Sequence, residues 1–256
     1  MLAEPSIGRA RVAWTSAADW RARGQPALAS SLADRLAAGV RGWLASADCR
    51  AAADEVVRRR GSWTADFGGE QFAFGRAFYT HLETGRAADY FRDARRSDEL
   101  VEAALPGMQA RVRDLFAALV GGRTRPRPGF CGPGVHVFPA GEKVAREGGV
   151  THFDTEGLSP LHRERRARAL TLVIMLQPPT RGGGLRVWDV RYRGRDEATA
   201  AELRRPSVRL LYRTGDALLL DSYRLHQIQG FPGRRDRISV TLHGVEVDAD
   251  VWETWF

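Results

Sequence analysis

Beyond residue 134 the apolar residues recur at every second position, in short runs separated by Gly and Pro. This period confines the C-terminal half of the chain to strands. Gly134-Val-His-Val-Phe138 predicts a strand, Pro139-Ala-Gly141 a turn, and a second strand is expected to reach His152 and Asp154. Residues 169–177 (Ala-Leu-Thr-Leu-Val-Ile-Met-Leu-Gln) form the continuous apolar run of a buried strand, and Pro178-Pro-Thr-Arg-Gly-Gly-Gly184 turns the chain into Leu185-Arg-Val-Trp188. After a charged, helix-permissive excursion over 196–204, further strands are expected at 208–212, 217–220 and 237–244.

The period before this point is helical. Leu28, Leu32, Leu36, Val40 and Trp43 or Leu44 predict an amphipathic helix over 27–47, and a second is expected over 51–60. Ser97, Asp98 and Glu99 supply the cap and negative charge that start a third helix, which runs to Leu119 and is bent at Pro106. Between them, Gly61, Gly68 and Gly69 punctuate an irregular aromatic stretch with Trp63, Phe67, Phe72, Phe74, Phe78 and Tyr79, suited to packing on a sheet or to walling a pocket. The Pro/Gly/Arg stretch 123–129 reads as a connector. Helices followed by short strands define an α+β fold, a double-stranded β-helix (jelly roll) with N-terminal helices packed on it. Residues 1–128 are the helical and aromatic segment of one globule, and 129–256 are its jelly-roll core.

The chain carries 39 Lys and Arg against 31 Asp and Glu, a formal charge of +8. Lys143 is its single lysine, and the arginines are spread in short clusters rather than gathered into a stripe, so a nucleic-acid partner is not expected. Cys49 and Cys131 are too few for a disulfide framework and lack the paired spacing of a zinc site, which suits a reducing cytoplasm. No run of about 18 apolar residues occurs and the first residues lack a leader-like apolar stretch, so the expectation is a soluble, unexported protein without a membrane partner.

The chemistry lies between Val150 and Thr241. His152 and Asp154 are two apart, so on a strand they share a face and grip one ion at about 2 Å each. His226, past the apolar 217–220 run, is the candidate third ligand, and two imidazoles with one carboxylate make a facial iron site with open positions. Arg237 and Ser239 are again in phase, a guanidinium and a hydroxyl suited to a carboxylate. Arg234 and Arg235 compete for that role but have no serine two residues on.

His152-x-Asp154, Gly183-Gly-Leu-Arg-Val-Trp188, Gly215-Asp-Ala-Leu-Leu-Leu, His226 and Arg237-x-Ser239 together resemble the Fe(II)/2-oxoglutarate-dependent oxygenases, in particular the prolyl 4-hydroxylase-like branch, over residues 134–244. The resemblance implies that His152, Asp154 and His226 hold Fe(II) and are the catalytic set. It further implies that Arg237, assisted by Ser239, anchors the distal carboxylate of 2-oxoglutarate. Thr171 is similar to a position that reaches the same carboxylate in some members. Phe138 stands where related enzymes often carry a tyrosine, so that hydrogen bond is missing or supplied from elsewhere. The implied reaction decarboxylates 2-oxoglutarate with dioxygen, coupled to oxidation of a substrate C–H bond. Because Asp154 is a carboxylate, no position is vacated for chloride, and hydroxylation or desaturation is expected over halogenation.

Arg186 and Trp188 are candidate substrate contacts, and the loop 155–168, which contains His162, is long enough to act as a lid. His81 is expected at the surface or in a structural role, and His136 and His243 as satisfied strand histidines. The substrate expected is a small molecule such as an amino acid or biosynthetic intermediate. A protein or peptidyl side chain is the alternative, then a non-catalytic jelly roll that binds metal or a small molecule, then a nucleic-acid demethylase.

Overall fold

A computed structural model of the chain describes residues 11–256. The leader reading concerns residues 1–9 and lies outside them. Thirteen strands form two sheets among the described residues: β1 (Val12–Ser16), β2 (Ala37–Arg41), β3 (Thr64–Asp66), β4 (Gln71–Phe74), β5 (Arg123–Pro126), β6 (Gly134–Phe138), β7 (Ala169–Gln177), β8 (Leu185–Arg191), β9 (Ser207–Leu210), β10 (Ala217–Asp221), β11 (Arg224–Ile228), β12 (Arg237–Asp248) and β13 (Val251–Trp255). The helices are α1 (Ala17–Ala22), α2 (Ser46–Arg58), α3 (Phe78–Glu83), α4 (Ala87–Ala104), α5 (Met108–Val120), α6 (Lys143–Glu147), α7 (Pro160–Glu164) and α8 (Ala200–Leu203).

The larger, ten-stranded sheet runs β1-β2-β10-β7-β12-β6-β4-β3, with β13 beside β12 and β5 beside β13; the smaller is β11-β8-β9. Side-chain alternation divides the large sheet into two faces. Leu170, Leu172, Ile174, Ile238, Val240 and Leu242 form one buried cluster with Val56 of α2 and Val112, Leu115, Phe116 and Leu119 of α5. The residues in the opposite phase, Met175, Leu218 and Leu220, meet Leu185, Val187 and Leu210 of the smaller sheet. At the end of that inner layer one extra residue, Leu176, bulges β7 against Ile238 and Ser239 of β12.

The structure revises several helical expectations. The 27–47 stripe is not a helix; it becomes a 3-10 turn at Ala29–Ala33 followed by β2. Ala37, Ala38 and Val40 are fully buried, and a Cβ on Gly39 would lie 2.5 Å from the Ala217 carbonyl oxygen. Burial between β1 and β10 therefore overrides a weak helical preference. The expected helix from Ser97 is two helices: α4 begins ten residues earlier, and Pro106-Gly107, with Gly107 at φ +72°, breaks the run before α5. The aromatic stretch is not irregular, since it contains β3, β4 and α3, and the 123–129 connector contains β5. The expected strand through His152 and Asp154 is also absent. That segment holds α6 and a single antiparallel bridge, His152 to His226. β11, carrying His226, and β13 were not foreseen.

The Gly215-Asp216 pair is structural. Gly215 sits at φ +83°, and a Cβ there would be 2.0 Å from the Leu44 carbonyl oxygen. The wholly buried Asp216 carboxylate pairs with Arg41 and accepts from the backbone N–H of Gly42 at 3.0 Å and of Arg213 at 2.7 Å. This clamp ties the β9–β10 turn to the loop after β2.

Candidate metal and co-substrate site

His152, Asp154 and His226 converge at one end of the inner layer, and one ligand atom from each lies within 4.8 Å of the others. The geometry has a local cause. His152 and His226 exchange both backbone hydrogen bonds, each 3.0 Å, and the Asp154 N–H donates to the Ser222 carbonyl at 2.9 Å. The bridge thus performs the placing that a full strand was expected to perform. Each imidazole donates from Nδ1 to a carbonyl two residues earlier, His152 to Val150 at 2.8 Å and His226 to Arg224 at 2.9 Å. That fixes the tautomer and leaves both Nε2 atoms facing Asp154, each 3.5 Å from one of its oxygens.

The electrostatics match a site built for a cation. Burial drives His152 down, but its hydrogen bond and charge contact with Asp154 prevail and raise it to about 9. Burial raises Asp154, and His226 and His152 together hold it well below the ordinary carboxylate range. His152 therefore holds a proton at neutral pH that a bound metal would displace.

Thr171 lies behind the carboxylate. Its hydroxyl donates to Asp154 Oδ2 at 2.6 Å, so Ser222 at 3.0 Å and His243 Nδ1 at 3.1 Å must donate to its two lone pairs. Thr171 pairs with His243, six residues along β12 from Arg237. Its observed contact is with Asp154 and not with Arg237. Thr171→Val is expected to weaken metal binding about tenfold to a hundredfold, read by competition with a chelator, with Thr171→Ser close to wild type.

Arg237 is 2% exposed; it donates from Nε to the Gly183 carbonyl at 3.0 Å and from a terminal nitrogen to Ser239 at 3.2 Å. Burial lowers its pKa. Arg234 and Arg235, its rivals, are exposed. Arg237 and Ser239 line the same cavity, about 480 Å³, as the three convergent residues.

Arg186 and Trp188 are not among the residues lining it. Leu185 and Val187 take the inner face of β8, so the alternate phase points away from the cavity: Arg186 stacks over Trp188 at 4.5 Å and bonds Ser207, and Trp188, itself buried in a separate cluster, donates from its indole to the Leu203 carbonyl of α8. His162 caps α7 with Ser159 and does not line the cavity either. His81 is buried and bonds the Ala77 carbonyl, a structural role. His243 is satisfied by Thr171, whereas His136 has a buried, unpartnered Nδ1 and lines the cavity. Burial pushes His136 down to about 3, so its ring is neutral.

Phe67 and Tyr79 of the aromatic stretch do wall the cavity, and the sequence reading missed Tyr212, Glu83 and Glu156, which also line it. Burial, then the charge of Asp154, lifts Glu156 to about 7, and burial raises Glu83. Glu156 stands two residues after Asp154 in the loop suggested as a lid, but nothing in the sequence aims it inward.

No protein-family model matches the sequence, and no curated protein matches it. Among solved structures, the chain is similar to the non-haem alpha-ketoglutarate-dependent carbocyclase SnoK from nogalamycin biosynthesis, with TM-score 0.57 and 16% identity over 86% of this chain and 83% of that one. An N-substituted L-amino acid dioxygenase from Burkholderia ambifaria AMMD gives TM-score 0.55 and 16% identity over 90% and 92%. The epimerase SnoN, in complex with Fe3+, alpha-ketoglutarate and nogalamycin RO, gives 0.52 and 16% over 84% and 80%. The chain shares the fold of these proteins, a mixed α+β architecture around a large sheet.

Proposed function

We propose that this protein is an Fe(II)- and 2-oxoglutarate-dependent dioxygenase that hydroxylates, or otherwise oxidises, an unactivated C–H bond of a small molecule such as an amino acid or biosynthetic intermediate. The observation that carries this reading is one cavity holding both a convergent His152, Asp154 and His226 and a buried Arg237–Ser239 fork. Two neutral-donor imidazoles and a carboxylate suit a divalent iron with open positions, and a buried guanidinium suits one carboxylate. The solved structures of similar fold, which include proteins named for alpha-ketoglutarate dependence, support the same reading.

On this reading the two sheets are the double-stranded β-helix, residues 129–256 carry the oxygenase core, and β1 to β5 of the preceding segment complete its larger sheet. His152, Asp154 and His226 hold the iron. Arg237 and Ser239 bind and orient 2-oxoglutarate by its distal carboxylate, and Thr171 holds the Asp154 carboxylate in place. Bound iron would supply dioxygen activation coupled to decarboxylation of 2-oxoglutarate. The remaining space, within the usual range for a small-molecule site, takes the substrate. Glu83 and Glu156 line it, so amino acids and other amines are the first compounds to screen. Buried, unpaired Cys49 and Cys131, both raised to about 11 by burial, fit a reducing cytoplasm, and no described helix is long and apolar enough to cross a membrane.

The test is succinate release from 2-oxoglutarate under air with Fe(II), screened over amino acids, small acids and short peptides. Anaerobic Fe(II) plus 2-oxoglutarate is expected to give the weak charge-transfer absorbance of a chelate. A folded protein that shows neither is a binding module and not an oxygenase, and turnover of peptides alone favours the peptidyl substrate.

A further inference from the structure

Two carboxylates that line the cavity, Glu83 and Glu156, have no Arg or Lys partner among the described residues, in a chain where 39 such cations outnumber 31 acids. Their placing follows from the elements that carry them. Glu83 ends α3 one turn after Tyr79, so the two side chains share a helix face. Tyr79 in turn lines a small recess together with Asp154 and Glu156. The charge of His152 reaches both glutamates, and that of Asp196, which accepts from Thr155 at 3.3 Å, also acts on Glu83. Like charges gathered at one wall repel unless a cation comes between them.

A second, independent feature of the same cavity calls for a ligand. His136 is 6% exposed and lines the cavity, and neither of its ring nitrogens is hydrogen-bonded to a described residue. A buried imidazole left without a hydrogen bond is costly, so a ligand that supplies one is favoured there. Its ring centroid lies 5.6 Å from that of Tyr79, and Tyr79 lies 6.4 Å from Phe67, another lining residue. We propose that the substrate binds as an organic ammonium ion, its nitrogen set between Glu83 and Glu156, its carbon skeleton against Tyr79 and Phe67, and a hydrogen-bonding group completing His136. This names the substrate class of the oxygenase proposed above and rests on that reading. Aromatic faces suit both the apolar skeleton and the cation. Charge then sorts the two ligands of one cavity: the anionic co-substrate goes to Arg237, and the cationic substrate to the glutamates. β6 pairs His136 with Ser239, so the ammonium site borders the co-substrate fork without using it.

The test uses the full chain loaded with Mn(II) and 2-oxoglutarate, titrated calorimetrically with benzylamine, a cation at neutral pH, and with benzyl alcohol, its neutral isostere. Benzylamine is expected to bind at least about tenfold more tightly, the worth of a hydrogen bond to a charged group. Glu156→Gln should remove most of that advantage and leave the Kd for benzyl alcohol unchanged. Glu83→Gln, at an exposed position, should reduce it by a smaller factor. His136→Leu should weaken both probes, since each carries a donor. Equal affinity for the two probes, no binding of either, a parallel loss of both in Glu156→Gln, or an advantage that persists when both glutamates are changed overturns the proposal. Failure of 2-oxoglutarate to bind in the loading step overturns the co-substrate reading, and this inference with it. A protein that binds 2-oxoglutarate and shows no preference for the amine overturns this inference alone.

Discussion

Asp154→Ala is expected to remove tight Fe(II) binding and to lower 2-oxoglutarate-dependent turnover by at least about a thousandfold. Asp154 is the only anion of the three convergent residues, and it faces two imidazoles whose orientation is held by backbone carbonyls. Without it the divalent charge meets only neutral donors, and two ligands hold an ion far more weakly than three. The fold should survive, since the Asp154 N–H bond to Ser222 belongs to the backbone and Thr171 keeps Ser222 and His243. Metal titration, succinate release and circular dichroism together check this. Full activity in the variant would remove Asp154 from the ligand set. With Asp154 as a ligand no position is left for a halide, and products formed in chloride are expected to be free of halogen, which mass spectrometry checks.

Arg237→Met should weaken 2-oxoglutarate binding by about a hundredfold or more, the loss expected when one partner of a buried charge pair is truncated. Arg237 is buried and lines the cavity, while Lys143, which also lines it, is paired with Glu70. Methionine fills similar volume without a charge to desolvate, so stability should hold or improve. Arg237→Lys should recover only part of the affinity, because a point charge cannot reproduce the planar fork that also reaches Gly183 and Ser239. Metal affinity measured without co-substrate should be unchanged in both variants. An unchanged Kd for 2-oxoglutarate in Arg237→Met would displace the anchor to another residue.

Much of the sheet was legible because its strands announce themselves locally. β6, β7, β8, β10 and β12 follow from apolar runs and the turns that bound them, with shifts of a few residues at their ends. β2 was not legible, since Ala37 to Arg41 carries little β preference and becomes a strand only because β1 and β10 bury it. β8 was found but read one residue out of phase. The Gly-rich turn before it does not say which of Arg186 and Val187 meets the smaller sheet's neighbour, and that choice removed Arg186 and Trp188 from the cavity.

The candidate site divides in the same way. His152-x-Asp154 and Arg237-x-Ser239 are short-range patterns, and a spacing of two suffices to group each pair. Thr171 was singled out, but its contacts with Asp154, Ser222 and His243 could not be read, because those neighbours come from three distant segments.

The sequence by itself determined the residue types available to hold a metal and a carboxylate, and the strands that carry most of them, because those depend on alternation and spacing within a few residues. Only the tertiary structure decided that His226 bridges to His152, that Thr171 grips Asp154, and that Glu83, Glu156 and His136 meet at one cavity. Those are contacts between residues far apart in the chain, set by sheet register and turn geometry, and no local period encodes them.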